Sequence, residues 1–547
     1  MKILGINLSH CSSVALILNS KLVYFQEEER LSRVRRQKGW PHMALSYMLD
    51  LFNFKEEDID LCVVCDLQSS KNINLKIKAK KITYIHHHLA HIFSGYALNP
   101  AANFIGVSID GGGDYNSWMS IARFRNRKLI NWFSNCGYSF QKNKIKKPFF
   151  PKCYHKPLGT YWSHPCVLNF GMLDKNGIGG YEGKLMGLSA NGNYKNFIDT
   201  YNVRFSLYKK NNYFFIKTDG PTKLGNKDHV KLKDGTLISL KDVKKLRKLE
   251  KKILFEYDLK NEKDLKYASN FASLLQNNTE DIVLELFEKN NFDKEELVML
   301  SGGLFSNVLL NGKLNQKYNI FVVPTMGDEG LAIGAAAWGS YSNNINLQPP
   351  KNLYLGFESK NNDNVDFDLI GRLLNENKIV GFIEGKMEAG PRALGGRSIL
   401  ANPSWKGVNQ TINQKLNRVE YMPFAPVILE EHAAEILENW NINHESSKHM
   451  TLVYKVKDEW KDLINGVVHT DGTVRPQIIN LDTNPNYYKV VKSFFKYSKI
   501  PVLINTSFNL HGEPILENSK RALEILEKSQ IDVLVADNKI YFNKKSS

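Results

Sequence analysis

The amino end of the chain is a series of short apolar runs cut by small polar residues. Residues 2–8, KILGINL, alternate loosely and stop at Ser9-His10-Cys11-Ser12-Ser13. Val14–Leu18 then turns at Asn19-Ser20 into Leu22–Gln26, which predicts a three-stranded hairpin meander. A helix is expected over Met43–Phe52 and a strand over Asp60–Cys65. Phe104-Ile-Gly-Val-Ser-Ile109 reads as a buried strand that delivers Asp110 to the glycine turn Gly111-Gly112-Gly113-Asp114. Leu297–Leu300 repeats the device: a strand runs into Gly302-Gly303, which opens a helix carrying Asn307 and Asn311 one turn apart. Backbone N–H groups at such a helix start suit a phosphate. In the lysine-rich stretch that follows Tyr194, Leu240, Val243, Leu246, Leu249 and Ile253 predict an amphipathic helix with a basic outer face. Pro349-Pro350 and Tyr354-Leu-Gly-Phe357 read as a linker, and Ile379–Ile383 is a strand of a second unit. The pattern is α/β throughout. It divides into a unit over 1–350, with a lysine-rich insert at about 195–265, and a unit over 360–547.

A chain of 547 residues exceeds what one hydrophobic core organises, which agrees with that division. The net charge of +17 points towards anionic partners. Much of the excess is scattered lysine, which is the composition of a solvated surface, so nucleic acid is not the expected partner. The six cysteines are irregularly spaced, as in a reduced, cytoplasmic protein. Cys62-Val-Val-Cys65 fits a buried strand better than a redox pair. Cys153-Tyr-His155 and His164-Pro-Cys166 are a conceivable zinc clamp, although their one-residue gaps are tighter than zinc knuckles use. Neither a signal peptide nor a membrane span is expected.

Candidate chemistry falls in two places. His87 and His91 are four apart, so on a helix their imidazoles converge on one point, and Asp110 supplies a hard oxygen nearby. Two neutral imidazoles with carboxylates suit Fe(II), Mn(II) or Zn(II). In the second unit Lys386, Arg392 and Arg397 sit in a glycine-punctuated loop, and Arg418 and Arg475 lie in later loops. Fixed guanidinium forks suit bidentate phosphate recognition; the alternative is pairing with Glu384 and Glu388. Pro501–Asn509 is a strand ending in polar donors, Asn505, Ser507 and Asn509. Glu27-Glu-Glu-Arg30 and the basic run up to Arg36 are either a solvated loop or a cationic cluster facing an anion.

The order of these pieces resembles one family. A Gly-Ile-Asn first strand, a turn histidine, EER, HHLAH and DGGGD are followed by YEGKLMGL (181–188), FASLLQ (271–276), SGGLFSN (301–307) and GDEGLAIG (327–334). GPRALGGRS, PFAP, HTDGTVRPQ and NTSFNLHGEP continue the series into the second unit. The chain is similar to the O-carbamoyltransferases of the nodulation-factor and antibiotic-tailoring type. The resemblance implies an actin-like twofold first unit and a YrdC-like α/β second unit. It implies a metal held by His87, His91, Asp110 and Asp328, Fe(II) first, and a nucleotide site at Gly111, Gly112, Lys184, Gly302, Gly303 and Asn307. It also implies ATP and carbamoyl phosphate at Lys386, Arg392, Arg397, Arg418, Arg475, Asn505, Ser507 and Asn509. Carbamoyl-adenylate made there passes its carbamoyl group to an acceptor hydroxyl, expected on a sugar. His10 is the candidate base, since imidazole is the side chain suited to proton transfer near neutrality. The first turn departs from the family's usual Gly-His-Asp-Ala-Ser, and Arg35 stands where lysine is usual, which leaves the acceptor pocket open. A tRNA threonylcarbamoyl-type enzyme is the competing reading. It shares the paired histidines, but GPRALGGRS and NTSFN belong to the carbamoyltransferases.

Overall fold

The computed structural model describes residues 1–65, 67, 75–114, 117–135, 158–159, 162, 182–195, 259, 261–416, 424–528 and 531–544, with the backbone alone of short strands at 139–141, 144–146, 204–210, 213–219, 229–231 and 237–239. The cysteine–histidine clamp, the amphipathic helix around Leu240–Ile253 and Arg418 lie outside the described residues.

The predicted meander is present as β1 (Lys2–Asn7), β2 (Ser13–Leu18) and β3 (Lys21–Glu27), followed by the short helix α1 (Glu28–Ser32) and the helix α2 (His42–Phe52). Two more strands, β4 (Leu61–Cys65) and β5 (Ile82–Ile85), complete a sheet of order β3-β2-β1-β4-β5. In it β1 runs antiparallel to β2 and parallel to β4. Helix α3 (His87–Leu98) leads to the second sheet, with β6 (Phe104–Ile109), β7 (Met119–Arg125) and β8 (Lys128–Ser134). The strands Val298–Ser301 and Ile320–Val322 join its other edge and the short strands 139–141 and 144–146 extend it beyond β8, so the five-strand repeat within it reads β8-β7-β6-(298–301)-(320–322). Here β6 is antiparallel to β7 and parallel to 298–301, which is parallel to 320–322. The two sheets therefore repeat one strand order with the same senses, the duplication that defines the twofold actin-like architecture.

Helix α3 and the helix Leu331–Ser342 fill the space between the sheets. Both are buried on nearly every face, as a helix sandwiched between layers must be. They approach so closely that a Cβ on Gly334 would lie 1.7 Å from the Ala90 carbonyl oxygen. One core cluster joins Ile3 and Val63 of the first sheet, Phe93 of α3 and Phe104 and Phe124 of the second sheet.

The second unit is built on a seven-stranded mixed sheet. Its order is 477–479, 425–429, 502–507, 397–401, 380–383, 533–536, 539–542. Tyr354–Glu358, expected as linker, is a strand that pairs with Lys386–Glu388 of this unit. Its Phe357 ring stacks on Tyr47 of α2 with centroids 4.7 Å apart.

Helix α1 ties the units together. Arg33 donates to the carbonyls of Pro514 and Ile515, both at 2.7 Å, and lies 3.1 Å from the Glu517 carboxylate. Arg30 is buried 3.1 Å from Glu27 and donates to the Gly390 carbonyl at 2.9 Å. The EER segment is thus an inter-unit bracket. Neither a solvated loop nor an anion-facing cluster describes these two arginines, because their charges are met by glutamates and carbonyls.

Candidate metal centre

Three histidines in a row begin α3, and the fold gives each a separate task. His86 precedes the helix and its Nδ1 accepts from the His88 N–H at 3.2 Å. His88 Nε2 lies 2.9 Å from the Ser117 carbonyl oxygen, a pure acceptor, so the proton sits on Nε2. Its Nδ1 then accepts from the Ser108 hydroxyl at 2.8 Å. Burial pushes the His88 pKa down to about 3, so it is a neutral anchor.

His87 and His91 turn the other way. Their Nε2 atoms are 3.2 Å apart. Asp110 Oδ2, at the end of β6, lies 2.9 Å from His91 and 3.5 Å from His87. Asp328 Oδ1 lies 3.5 Å from His91 and 3.6 Å from His87. The four donor atoms all fall within 4.8 Å of one another. Separations of this size are the edges expected when four ligands share one ion at about 2.1 Å, so nitrogen and oxygen donors here fit a divalent transition metal. His91 Nδ1 is buried without a hydrogen-bond partner, so packing alone orients that side of the ring.

Charge follows the same geometry. Burial alone would push the imidazoles down, but the two carboxylates outweigh it: His87 is raised and His91 reaches about 9. Asp110 is held well below the ordinary carboxylate range against its own burial, by hydrogen bonds from His87 and His91. Asp328 is lowered as well, chiefly by the charge of His10. In the metal-free site protons do the work of a cation.

The first turn completes the surroundings. Asp328 Oδ2 accepts from the Ser9 hydroxyl at 2.9 Å and lies 3.1 Å from His10 Nδ1. The His10 side chain is 44% exposed. Asn7 donates to the Asp328 carbonyl at 2.8 Å and Ser13 to the Glu329 carbonyl at 2.8 Å. Gly302, at φ +94°, packs so that a Cβ would lie 2.2 Å from the Ile109 carbonyl, and a Cβ on Gly303 would meet Asp110 Oδ1 at 3.0 Å. Among the described residues, Cβ atoms on Gly111 and Gly112 would meet nothing within 4 Å, while Gly159 packs against the Gly111 backbone, where its own Cβ would lie 2.7 Å from Gly111 Cα.

Other expected site residues fall elsewhere. Asn307 caps the helix Val308–Asn315 through the Leu310 N–H and pairs with the Gln276 amide at 2.8 Å, so its side chain is spent on structure. Lys184 lies half-buried on the helix Glu182–Ser189. Arg397 is wholly buried and donates to the carbonyls of Phe357, Glu384, Gly385, Gly396 and Glu517 and to the Ser359 hydroxyl. Its donors hold loops together, and they meet carbonyls rather than the Glu384 or Glu388 carboxylates. Glu388 instead gathers the backbone N–H groups of Leu394, Gly396 and Arg397. Arg475 faces the first unit beside His469, Met186 and Leu309. Arg392 keeps a buried Nε without a partner; burial lowers its pKa to about 10, opposed by the charge of Glu329 next to Asp328. Lys386 stands on its strand. Asn505 donates to the Ala393 carbonyl and to Gln477, and Ser507 donates to Asn509, which donates to the Leu510 and Glu513 carbonyls. Among the described residues, Arg392, Arg397 and Arg475 have different neighbours. Sequence reasoning missed Ser9 and the inter-unit role of Arg33; the second aspartate of DGGGD was in view, but without a task.

A duplicated sheet pair that gathers two histidines and two aspartates, joined to a mixed α/β sheet, is the frame of a two-unit enzyme. Comparison with known proteins gives its class. The carbamoyltransferase N-terminus model matches residues 66–337 and the carbamoyltransferase C-terminus model matches residues 371–543. The chain belongs to the carbamoyltransferase family and is a transferase. An uncharacterised protein of Methanocaldococcus jannaschii, MJ1051, is 32% identical over 98% of this chain and 98% of its own length. The nodulation protein NolNO of Sinorhizobium fredii is 26% identical, over 98% of this chain and 79% of its own. Among solved structures, the activator of 2-hydroxyisocaproyl-CoA dehydratase from Clostridium difficile with bound ADPNP aligns with 63% of this chain and 96% of its own, at 12% identity and a TM-score of 0.34. Among the described residues no helix is long and apolar enough to cross a membrane.

Proposed function

We propose that the unit over 360–547 makes carbamoyl-adenylate from ATP and carbamoyl phosphate: water cleaves carbamoyl phosphate to carbamate and phosphate, and a carbamate oxygen then attacks the α-phosphorus of ATP, releasing pyrophosphate. The unit over 1–350 then transfers the carbamoyl group to a hydroxyl of a sugar-bearing acceptor, releasing AMP. The observation that carries this reading is the convergence of His87, His91, Asp110 and Asp328 beside His10 and a glycine loop, in a chain of the carbamoyltransferase family.

A divalent ion held by those four side chains, Fe(II) first with Mn(II) or Zn(II) as alternatives, supplies positive charge for the adenylate phosphate. The protein's own groups do the rest. Asp328 Oδ2 fixes the Nδ1 side of His10, so Nε2 is the atom that takes the acceptor's hydroxyl proton as its oxygen bonds to the carbamoyl carbon. The backbone of Gly111, Gly112, Gly302 and Gly303 comes close to the reacting groups because no side chain stands in the way. In the second unit Arg392 and Lys386 remain as charges for the substrate phosphates, while Arg397 keeps their loop in shape.

The test is pyrophosphate release from ATP that depends on carbamoyl phosphate, followed by mass spectrometry of a glycan panel for an added carbamoyl group. Absence of carbamoyl-phosphate-dependent pyrophosphate release sinks the reading.

A further inference from the structure

The DGGGD loop carries two aspartates, and only the first reaches the four-donor centre. Asp114 is buried at 3% exposure, and its Oδ2 accepts the backbone N–H of His87, the first residue of α3, at 2.8 Å. An N–H at a helix start has no partner within the helix, and an anion there also meets the positive end of the helix dipole. The next free N–H, of His88, is taken by His86 Nδ1. Asp114 is itself held: its carbonyl accepts from the Ser117 N–H at 3.1 Å and from the Ser117 hydroxyl at 2.9 Å. The Ser117 carbonyl in turn accepts from His88 Nε2. The loop is thus bolted to the first turn of α3 at residues 87 and 88, the two positions that set the rotation of the helix about its axis. That rotation decides whether His87 and His91 face Asp110 and Asp328.

We propose that Asp114 is a positioning residue of the metal centre: it fixes the first turn of α3 so that the two imidazoles arrive already aimed at the two carboxylates. This rests on the metal reading above. Two carboxylates four residues apart on one glycine loop then divide the labour, one as ligand and one as holder of the helix that brings the other ligands. The three glycines between them permit this, and a Cβ on Gly113 would press within 2.8 Å of the His87 ring.

The experiment is Co(II) titration of the metal-stripped full-length protein, followed by visible absorption, for wild type, Asp114→Ala, Asp114→Asn and Asp114→Glu. Residues that orient metal ligands typically matter by about 10–100-fold in affinity, and that loss is expected for Asp114→Ala. Asp114→Asn keeps an oxygen acceptor and is expected to recover most of the affinity. Asp114→Glu displaces the carboxylate by a methylene, and is expected to lose about 10-fold with an altered cobalt band while the metal-free Tm stays near wild type. Cobalt binding by Asp114→Glu and by folded Asp114→Ala at wild-type strength overturns the positioning role. Failure of the wild type to bind cobalt at all overturns the metal reading instead. Should Asp114→Ala not fold, the Asn and Glu pair decides alone.

Discussion

Stripping the proposed metal is expected to make the stability of this protein fall as pH rises through the neutral range. The perturbation is chelation. In the metal-free site His91 has a folded pKa of about 9, against about 6.5 in the unfolded chain. A group whose pKa is raised by folding stabilises fully below its unfolded value and loses that contribution as pH climbs through its folded value. The window is therefore pH 6.5 to 9. The gap corresponds to about 3 kcal/mol, since each pKa unit is about 1.4 kcal/mol. His91 is fully buried, so solvent does not discount the figure. Asp110 and Asp328 act with the opposite sign: their lowered pKa values stabilise above the unfolded carboxylate range and are lost only on acidification. The contribution of these three groups is thus greatest between about pH 5 and 6.5 and weakens above.

Urea unfolding at pH 6, 7.5 and 9, with and without a chelator, reads this directly. With a slope near 3 kcal/mol per molar urea, a loss of about 3 kcal/mol moves the midpoint by about 1 M. The metal-loaded protein is expected to show no such drop, because binding displaces the protons and its affinity gains with pH. A metal-free profile that is flat from pH 6 to 9 refutes the reasoning, as does an equal drop in the loaded protein.

Three further outcomes test the packing. Arg397→Lys leaves several buried carbonyls unmatched and should cost at least about 3 kcal/mol in urea unfolding; a stable variant with only a raised KM for ATP would return Arg397 to the phosphate site. Arg33→Ala removes the bonds to Pro514 and Ile515 and should cost about 1–3 kcal/mol and speed proteolysis between the units; an unchanged cleavage rate sinks the bracket role of α1. Gly113→Ala should displace the His87 ring and weaken Co(II) binding about 10-fold, so affinity at the wild-type level would show that the ring has room to move.

What was legible in the sequence differs between the two units for a physical reason. His87 and His91 were readable because helical spacing fixes where short side chains point, and imidazoles reach only a few ångströms from the backbone. Asp110 was readable because a buried strand can end in only a few ways. The repeated sheet was implied by the family resemblance, with which apolar runs ending in glycine turns at two places agree. Arg392, Arg397 and Arg475 were grouped because they share a residue type and loop context. An arginine side chain is long, and its guanidinium is satisfied equally by phosphate, carboxylate or carbonyl oxygens, so sequence position does not say which it meets. Arg397 shows the outcome most clearly: the carbonyls it binds come from residues 357, 384, 385, 396 and 517, and only the folded chain brings these together. Asp114 stayed without a role for a related reason. Its partner is a backbone N–H, which every residue but proline carries, so nothing in the string HHHLAH marks His87 as the residue it holds. The side chains hardest to assign were those whose partners are main-chain atoms. In this molecule they are also the ones that keep the ligand-bearing helix and the arginine loop in place.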